Sequence, residues 1–293
     1  VYSLLRDDQK KKFDQEMQLD FSYELKDVGR FRVNFFHERQ GIGAAFRIIA
    51  NEIKSIDDLE LPSQLKDLCS NKQGLVLVTG PTGSGKSTTL AAMVNQINTN
   101  FKKHIITLED PIEFIYSGCQ SIIHQRELTT HMLNYADGLK NALREDPDII
   151  LIGELRDYET ISLAMTAAET GHLVFGTLHT SSALKTINRI IDSFPENQQN
   201  QAKAQLAESL EAIIAQNLIN RIDKPGMVPI VEILINTPAV SNLIREGKNF
   251  QISSVIQTGL RYGMQSYHQS KINLIKREII AADDEKHEIS AGN

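Results

Sequence analysis

The glycine-rich stretch at residues 80–88, GPTGSGKST, constrains the fold of this chain more than any other segment. It matches the phosphate-binding pattern G-x-x-x-x-G-K-[ST] at every fixed position. In such a loop, glycines let backbone N–H groups turn towards phosphate oxygens, the lysine reaches the β- and γ-phosphates, and the next hydroxyl can ligate Mg²⁺. Ser87 is therefore a candidate metal ligand, and the candidate nucleotide-binding residues are Gly80, Pro81, Thr82, Gly83, Ser84, Gly85, Lys86, Ser87 and Thr88.

The segments on both sides of this loop agree with a nucleotide site. Residues 75–79 are apolar and rich in β-branched side chains, which predicts a buried strand. Residues 87–97 contain neither Pro nor Gly and predict a helix. A strand, a loop and a helix in this order bring phosphate to the N-terminus of the helix. The alternative is a glycine-rich turn that matches the pattern by chance, and the flanking strand and helix argue against it.

The composition limits the classes of protein to which this chain can belong. A length of 293 residues suffices for one large domain or two modest ones. The net charge of −6 gives no overall electrostatic footprint for nucleic acid, although a local basic groove stays open. Cys69 and Cys119 form no CxxC pair, which excludes a zinc ribbon and requires no oxidising compartment. No apolar run approaches the ~18 residues that span a bilayer. We therefore expect a cytoplasmic protein that reaches a membrane only through a partner.

The first unit, residues 1–50, contains a predicted helix and a predicted β-hairpin. Residues 4–17 have a helical composition, and residues 30–35 alternate polar and apolar side chains as a half-buried strand does. Two glycines then mark a turn before the returning strand at residues 44–49. Because the chain starts inside the predicted helix and not at a methionine, we expect the first part of this unit to lie before Val1.

Three arginines of this hairpin are candidates for contact with a phosphate. Arg30 and Arg32 share one face of a strand, and Arg47 lies on the next strand. One interpretation is a solvated strand face, because exposed arginine is the norm. The other is that this face meets the nucleotide of a neighbouring subunit and supplies arginine fingers. We expect contact in trans, because a predicted linker at residues 51–64 separates the arginines from the phosphate-binding loop.

Residues 65–225 alternate predicted strands and helices, which is typical of a parallel sheet with helices on both faces. The predicted strand ends carry the phosphate-binding loop, Glu109, Glu154 and His179. Ligands of open parallel sheets bind beyond the carboxyl ends of the strands, so we expect one composed active site there. The alternative, for each carboxylate taken singly, is a solvated loop residue. His172 starts the strand that ends at His179, and it would lie at the opposite edge if this strand is straight.

These residue types predict phosphoryl transfer to water. Glu154 follows four apolar residues and a glycine, as in a Walker B strand, where a carboxylate holds Mg²⁺ or orients the attacking water. Glu109 is a candidate general base or water-orienting residue. His179 could sense the γ-phosphate through hydrogen bonds. For His172, a structural and a functional role both stay open.

The last third of the chain predicts mostly helices. Residues 198–220 predict one long helix with a buried apolar stripe. Residues 227–234 predict a strand, and residues 238–247 predict a helix closed by a glycine. Residues 283–293 are charged and small, which predicts a disordered tail. The expected fold is thus an α/β core with a mostly parallel sheet, followed by a mainly helical C-terminal region from residue 226 onward.

Four segments of the chain resemble the sequence boxes of the bacterial secretion and type IV pilus ATPases. They are residues 80–88 as Walker A, residues 107–114 as the aspartate box, residues 146–157 as Walker B and residues 168–180 as the histidine box. All four occur in the order that the family has, and the resemblance covers nearly the whole chain. Within the family, the chain is most similar to the branch of pilus retraction, or twitching motility, ATPases.

The resemblance implies a homohexameric ring that hydrolyses ATP with Mg²⁺. Each subunit would combine a PAS-like α+β domain, truncated here to residues 1–50, with a RecA-like P-loop ATPase domain at residues 65–225. The implied function is a motor that powers type IV pilus retraction from the cytoplasmic face of the inner membrane. Its implied partner is the platform protein of the pilus machinery, with neither nucleic acid nor direct membrane insertion.

The family also implies roles for single residues of this sequence. Glu109 matches the aspartate-box glutamate that is thought to activate water, and Glu154 matches the Walker B glutamate near Mg²⁺. His172 and His179 match the two residues of the histidine box. The arginines that match the region approaching the phosphates are Arg30, Arg32 and Arg47.

Two further features of the sequence separate this chain from other branches of the family. Residues 239–248, AVSNLIREGK, resemble a C-terminal signature of the retraction ATPases, with departures at Val240 and at Ser241, where the family typically has arginine. Two cysteines are too few for the four-cysteine metal module of assembly and type II secretion ATPases. The alternatives that stay open are an accessory retraction ATPase, an assembly or type II secretion ATPase, a RecA-like DNA motor, and a nucleotide-gated ring that barely hydrolyses.

Overall fold

A small antiparallel sheet and a larger, mostly parallel sheet organise this chain. The computed structural model describes residues 2–26, 28–49 and 52–282, so the tail predicted at residues 283–293 lies outside the described residues. Within these ranges, no helix is both long and apolar enough to cross a membrane.

The small sheet follows from the alternation of apolar residues in the first unit. Phe13 of the preceding helix packs edge-on against Phe35 of the central strand, and both side chains are fully buried. The hairpin predicted from the alternation is confirmed, and its register places Arg32 opposite Arg47. The elements are α1 (Asp7–Glu16), β1 (Gln18–Leu25), β2 (Gly29–Glu38) and β3 (Gly41–Ile49), and the strands pair in the order β1-β2-β3.

The large sheet contains seven strands, with helices in most of the connections. Its strands are β4 (Gly74–Thr79), β5 (His104–Glu109), β6 (Ile122–Glu127), β7 (Ile149–Ile152), β8 (Leu173–Leu178), β9 (Leu210–Asn220) and β10 (Met227–Ile235). They lie in the order β10-β9-β4-β8-β7-β5-β6, and β10 alone among these seven runs antiparallel to its neighbour.

The helices that accompany this sheet come from the middle and the end of the chain. They are α2 (Gln64–Leu68), α3 (Lys86–Asn100), α4 (Tyr135–Ala142), α5 (Tyr158–Glu169), α6 (Ala183–Asp192), α7 (Gln199–Ser209), α8 (Pro238–Arg245), α9 (Ile252–Thr258) and α10 (Tyr267–Lys276).

The central strands are buried on both faces, which explains their uninterrupted apolar sequences. Leu75 and Leu77 of β4 belong to one apolar core, whereas Val76 and Val78 belong to the other. Successive side chains of a strand point to opposite faces, so an all-apolar run suits a strand that helices cover on both sides. The strand predicted at residues 75–79 is confirmed as β4, and the predicted strands that end near Glu109, Glu154 and His179 are confirmed as β5, β7 and β8.

The long helix predicted at residues 198–220 is wrong. The helix α7 ends at Ser209, and β9 follows at once as the neighbour of β4. Ile213 packs into one core and Ile214 into the other, as in a strand with both faces covered. Periodicity cannot separate a helix from a strand in such an apolar run. Because β10 extends the same sheet, a domain boundary at residue 225 would cut the sheet, and the helical region begins only at α8.

The parallel strands set the place of the site. The carboxyl ends of β4, β5, β7 and β8 lie at one edge of the sheet, as their parallel registers require. At these four ends lie the phosphate-binding loop, the aspartate box with Glu109, Gly153 with Glu154, and His179.

Candidate active site

The phosphate-binding loop connects β4 to the N-terminus of α3. Gly85 precedes the helix with a positive φ of 87°, a conformation that suits glycine, and α3 begins at Lys86. A Cβ on Gly80 would collide with the Gln216 carbonyl of β9. Gln216 also donates to the Ser84 carbonyl at 2.7 Å and accepts from Thr89 at 2.7 Å. The neighbouring strand therefore fixes the shape of the loop from behind, leaving its other side open to a ligand.

Lys86 supplies a cation inside this loop. Its Nζ donates to the Gly80 carbonyl at 2.8 Å and to the Pro81 carbonyl at 3.0 Å. Burial lowers the pKa of Lys86, while the charges of Glu154 and Glu113 act in the opposite direction. When a nucleotide binds, the Lys86 ammonium can exchange these loop carbonyls for phosphate oxygens as its hydrogen-bond acceptors.

Glu154 lies at the end of β7 between a histidine and an arginine. His179 Nε2 is 3.2 Å from Glu154 Oε1, and Arg156 Nη2 is 2.6 Å from Glu154 Oε2. On its other side, His179 Nδ1 is 3.4 Å from Lys86 Nζ. The hydrogen bond to Glu154 raises the pKa of Arg156, so this arginine stays charged. One polar network thus connects the phosphate-binding loop, the Walker B carboxylate and the end of β8.

Glu109 lies at the end of β5 and receives hydrogen bonds from neutral donors. Thr107 donates to its Oε1 at 2.6 Å, and the Gln125 side chain donates to the same oxygen at 3.1 Å. Burial raises the pKa of Glu109, and these two hydrogen bonds together with one from the Glu113 backbone partly offset the effect. A carboxylate with a raised pKa accepts a proton more readily than an ordinary glutamate.

These groups share one open cavity of about 570 Å³, which is large enough for a nucleotide. It is lined by Arg32, Arg47, Thr82, Gly83, Gly85, Lys86, Ser87, Thr88, Leu90, Glu109, Asp110, Pro111, Glu113, Phe114, Tyr116, Tyr135, Leu151, Gly153, Glu154, Arg156, Thr177, His179 and Leu218.

The three candidate arginines of the small sheet lie in two different surroundings. Arg32 and Arg47 line the cavity of their own chain together with Lys86, so they can reach their own phosphate-binding loop, and contact in trans stays a prediction. The β2–β3 register pairs them side by side on the face that turns to the cavity. Arg30 instead donates to the Ile112 carbonyl at 3.3 Å and does not line the cavity. Its contact fastens the small sheet to the loop after Glu109.

His172 is not brought to this cavity. It precedes β8, whereas His179 follows it, and seven residues of extended strand span about 23 Å. The His172 Nδ1 atom lies 3.0 Å from the Ala167 carbonyl of α5. The candidate catalytic role of His172 therefore has no support from contacts inside this chain.

The residues around the cavity fit a nucleotide with Mg²⁺. The loop offers backbone N–H groups and the Lys86 ammonium to phosphates, and the Ser87 hydroxyl and the Glu154 and Glu113 carboxylates are oxygen ligands of the kind that Mg²⁺ takes. Among the described residues, no group of three His, Cys, Asp or Glu forms a metal cage. Mg²⁺ is usually held by one or two protein oxygens together with substrate phosphates, and not by such a cage.

Several residues of the site were not predicted from the sequence. Gln216 and Leu218 lie on β9, which was predicted as a helix and so gave no reason to place them at the loop. Gln125 lies on β6, a strand whose mixed polar sequence gave no signal. Arg156 lies in the Walker B segment and Glu113 in the aspartate-box segment, and these positions could have marked both as site residues.

Comparison with known proteins places this geometry in context. Residues 6–247 match the family described as type II/IV secretion system protein. The chain is 53% identical over 283 residues to a twitching motility protein of Neisseria gonorrhoeae, covering 97% of this chain and 76% of that protein. It is 48% identical over 284 residues to the type IV pilus retraction ATPase PilT of Pseudomonas aeruginosa, covering 97% and 82%. A crystal structure of the pilus retraction motor PilT with bound ADP has a TM-score of 0.89 at 46% identity, covering 97% of this chain and 80% of that one.

Proposed function

This chain belongs to the type II/IV secretion system protein family, and we propose that it is an ATPase that powers type IV pilus retraction. The observation that carries the proposal is a single cavity that holds Lys86, the carboxylates Glu109 and Glu154, and the arginines Arg32 and Arg47. The similarity to a gonococcal twitching motility protein and to PilT supports pilus retraction as the mechanical work that ATP hydrolysis drives.

The phosphate-binding loop and Lys86 orient the substrate. Backbone N–H groups at the start of α3 bind the phosphates, and the Lys86 ammonium moves from the Gly80 and Pro81 carbonyls to the β- and γ-phosphates. The exchange replaces two neutral acceptors by charged ones, which strengthens the hydrogen bonds of the lysine. Mg²⁺, held by Ser87 and through water by Glu154, would neutralise part of the phosphate charge.

Glu109 removes a proton from the attacking water. A water oxygen forms a bond to the γ-phosphorus while the bond to the bridging oxygen breaks, and ADP leaves with that oxygen. The proton of the water goes to a carboxylate oxygen of Glu109, whose raised pKa suits a general base. Arg32 and Arg47 balance the negative charge that spreads over the γ-phosphate oxygens in the transition state.

His179 couples the γ-phosphate position to the Walker B carboxylate. Its two ring nitrogens face Lys86 and Glu154. When Lys86 turns to the phosphates, the Nδ1 atom of the imidazole loses this neighbour, and the ring can reorient against Glu154. The occupancy of the γ-phosphate position thus changes the hydrogen bonds of Glu154.

The mechanical function requires an assembly. We propose a homohexamer at the cytoplasmic face of the inner membrane, docked on the platform protein of the pilus machinery. Similarity to a retraction motor supports this assembly. Native mass spectrometry of the protein with ATP and Mg²⁺ tests the number of subunits, and a mass of six chains is the expected result.

The retraction function is tested in the bacterium that carries this protein. A strain without it should bear excess pili that do not retract, and a plasmid copy should restore retraction. A copy with Lys86→Ala should not restore it, whereas Lys72→Ala, an exposed lysine outside the cavity, should. Retraction at the normal rate in the deletion strain would reduce the protein to an accessory ATPase. Stimulation of its ATPase by DNA would favour a DNA motor.

A further inference from the structure

The side chain of Gln125 lies at the centre of the loop that follows Glu109. Its Nε2 donates to Glu109 Oε1 at 3.1 Å and to the Phe114 carbonyl at 2.8 Å. Its Oε1 accepts from the Tyr116 backbone N–H at 3.1 Å. One amide thus joins the carboxylate to two backbone groups of residues 110–116, here named the aspartate-box loop.

These contacts allow a single orientation of the amide. In the opposite orientation, the NH₂ group would face the Tyr116 N–H, and two donors would meet. The amide oxygen would then face the Phe114 carbonyl and the Glu109 carboxylate, where only acceptors would meet. The backbone of the aspartate-box loop therefore fixes the donor of Gln125 on Glu109.

The sheet register brings a second donor to the same oxygen. Gln125 of β6 stands beside Thr107 of β5, and Glu109 lies two residues further on the same face. Thr107 donates to Glu109 Oε1 at 2.6 Å. With two donors on one oxygen, the carboxylate is held against rotation about its last side-chain bond.

We propose that Gln125 is a positioning residue for Glu109, because its amide fixes the orientation of that carboxylate towards the attacking water. This inference rests on the proposed role of Glu109 as the general base. Gln125 itself does not line the cavity, so it acts through Glu109 and not on the substrate. Loss of the amide donor should therefore slow the chemical step and leave ATP binding nearly unchanged.

The ionisable groups around Glu109 determine what the loss of the amide does to its proton affinity. Burial and, less strongly, the charge of the Glu113 carboxylate raise the pKa of Glu109, and hydrogen bonds from Thr107, Gln125 and the Glu113 backbone lower it. The other ionisable groups that line the cavity with Glu109 and Glu113 are Asp110, Tyr116, Tyr135, Lys86, Glu154, Arg156, His179, Arg32 and Arg47. Since removal of the amide leaves all these groups in place, the pKa of Glu109 should rise.

The first test replaces Gln125 by an apolar residue of similar length. Gln125→Met should lower kcat for ATP hydrolysis about tenfold or more, as the loss of a hydrogen bond to a charged group does, with KM within about twofold. The acid limb of the plot of kcat against pH should move to higher pH. The matched control is Gln120→Met, which removes an exposed glutamine that donates to the Thr99 carbonyl and does not contact Glu109. It should leave kcat and the pH profile unchanged.

The second test separates positioning from folding and from the role of Glu109. Gln125→Glu keeps an acceptor for the Tyr116 N–H but replaces the donor by a negative charge, so its acid limb should move further than that of Gln125→Met. In a Glu109→Gln background, Gln125→Met should cause no further loss of kcat, because both changes act on one interaction. A further tenfold loss there, or an unshifted pH profile, would overturn the positioning role.

The two proposals fail in different ways. If Glu109→Gln hydrolyses ATP at the normal rate, Glu109 is not the base, and the proposed role of Gln125 fails with it. If Glu109→Gln is inactive while Gln125→Met and Gln125→Glu behave as the wild-type protein does, only the inference about Gln125 is overturned.

Discussion

The two carboxylates of the cavity are held in opposite ways. Glu154 lies between the Arg156 guanidinium and the His179 ring, and this ring continues to Lys86. Glu109 receives a hydroxyl and an amide as hydrogen-bond donors. Burial makes the Glu109 carboxylate more basic, and its neutral donors offset this effect only in part. These surroundings support the proposal that Glu109 accepts the proton of the attacking water, whereas Glu154 stands beside the Arg156 guanidinium.

The surroundings of Glu109 and those of Glu154 also differ in their contacts with the small sheet. The Glu109 side is fastened to the small sheet, because Arg30 donates to the Ile112 carbonyl and the Ser22 hydroxyl lies 3.5 Å from Glu127 Oε2. Glu127 in turn accepts from the Ile112 N–H at 3.1 Å. The hydrogen bonds of the small sheet thus reach the loop that follows Glu109, whereas the contacts of Glu154 come from Arg156 and His179.

The largest expected effect concerns the charges that the small sheet brings to the cavity. Replacing Arg32 and Arg47 together by Ala should reduce ATP turnover roughly 10³–10⁵-fold, the range known for arginines that stabilise phosphoryl transfer. Arg39→Ala in the turn of the same hairpin is the control, because this exposed arginine lies outside the cavity. Steady-state ATPase assays measure both. Normal turnover in the double variant would reduce the pair to a solvated strand face.

Mixed assemblies show which cavity these arginines serve. Subunits with Arg32→Ala and Arg47→Ala are combined with subunits that carry Lys86→Ala. Because Arg32, Arg47 and Lys86 line one cavity of one chain, no mixed ring contains an intact site, and we expect no recovery. Recovery of turnover in rings shown to contain both subunits would establish action in trans and contradict the intrachain arrangement.

The next effect in size tests the base. Glu109→Gln should lower kcat about 10²–10⁴-fold, the usual contribution of general-base catalysis, while ATP binding measured with a fluorescent nucleotide stays near normal. The loss should not respond to the Mg²⁺ concentration. Glu159→Gln serves as the control, since this exposed glutamate pairs with Lys140 on the surface. An ATP affinity that falls together with kcat would show that Glu109 binds ground state and transition state alike.

Glu154→Gln should have a smaller effect of about 10²-fold, because the neighbouring charges stay in place. Its deficit should shrink as the Mg²⁺ concentration rises, since a neutral amide weakens the site for the metal. ATPase assays over a Mg²⁺ titration compare this variant with Glu109→Gln. Equal responses of the two variants to Mg²⁺ would remove the division of roles between the carboxylates.

The sequence predicted the site residues that lie in short motifs. It did not predict those whose positions depend on how distant segments pack. The order of residues in the phosphate-binding loop and the acidic residues at strand ends are written in short motifs, and the parallel sheet brings them to one edge. The location of Gln216 could not be predicted from the sequence, because Ile213 and Ile214 fit a helix and a strand equally well. The reach of Arg32 and Arg47 depends on how the small sheet docks, which no local pattern encodes. Ser241, which departs from the signature that residues 239–248 resemble, donates to the Ala207 carbonyl at 2.9 Å.

The smallest effect is a shift along the pH axis, and it distinguishes the carboxylates most directly. Glu109 must be deprotonated to accept a proton, so activity falls as pH drops through its pKa. Because burial raises that pKa, the acid limb should lie above the usual range of glutamate, ~4.3. The residual activity of Glu154→Gln should keep this limb, because Glu109 retains its Thr107 and Gln125 donors. Measurement of kcat from pH 4 to 8 at saturating ATP and Mg²⁺ decides the matter. A limb that moves in Glu154→Gln, or that lies at the usual position in the wild-type protein, would show that Glu109 does not set the pH dependence.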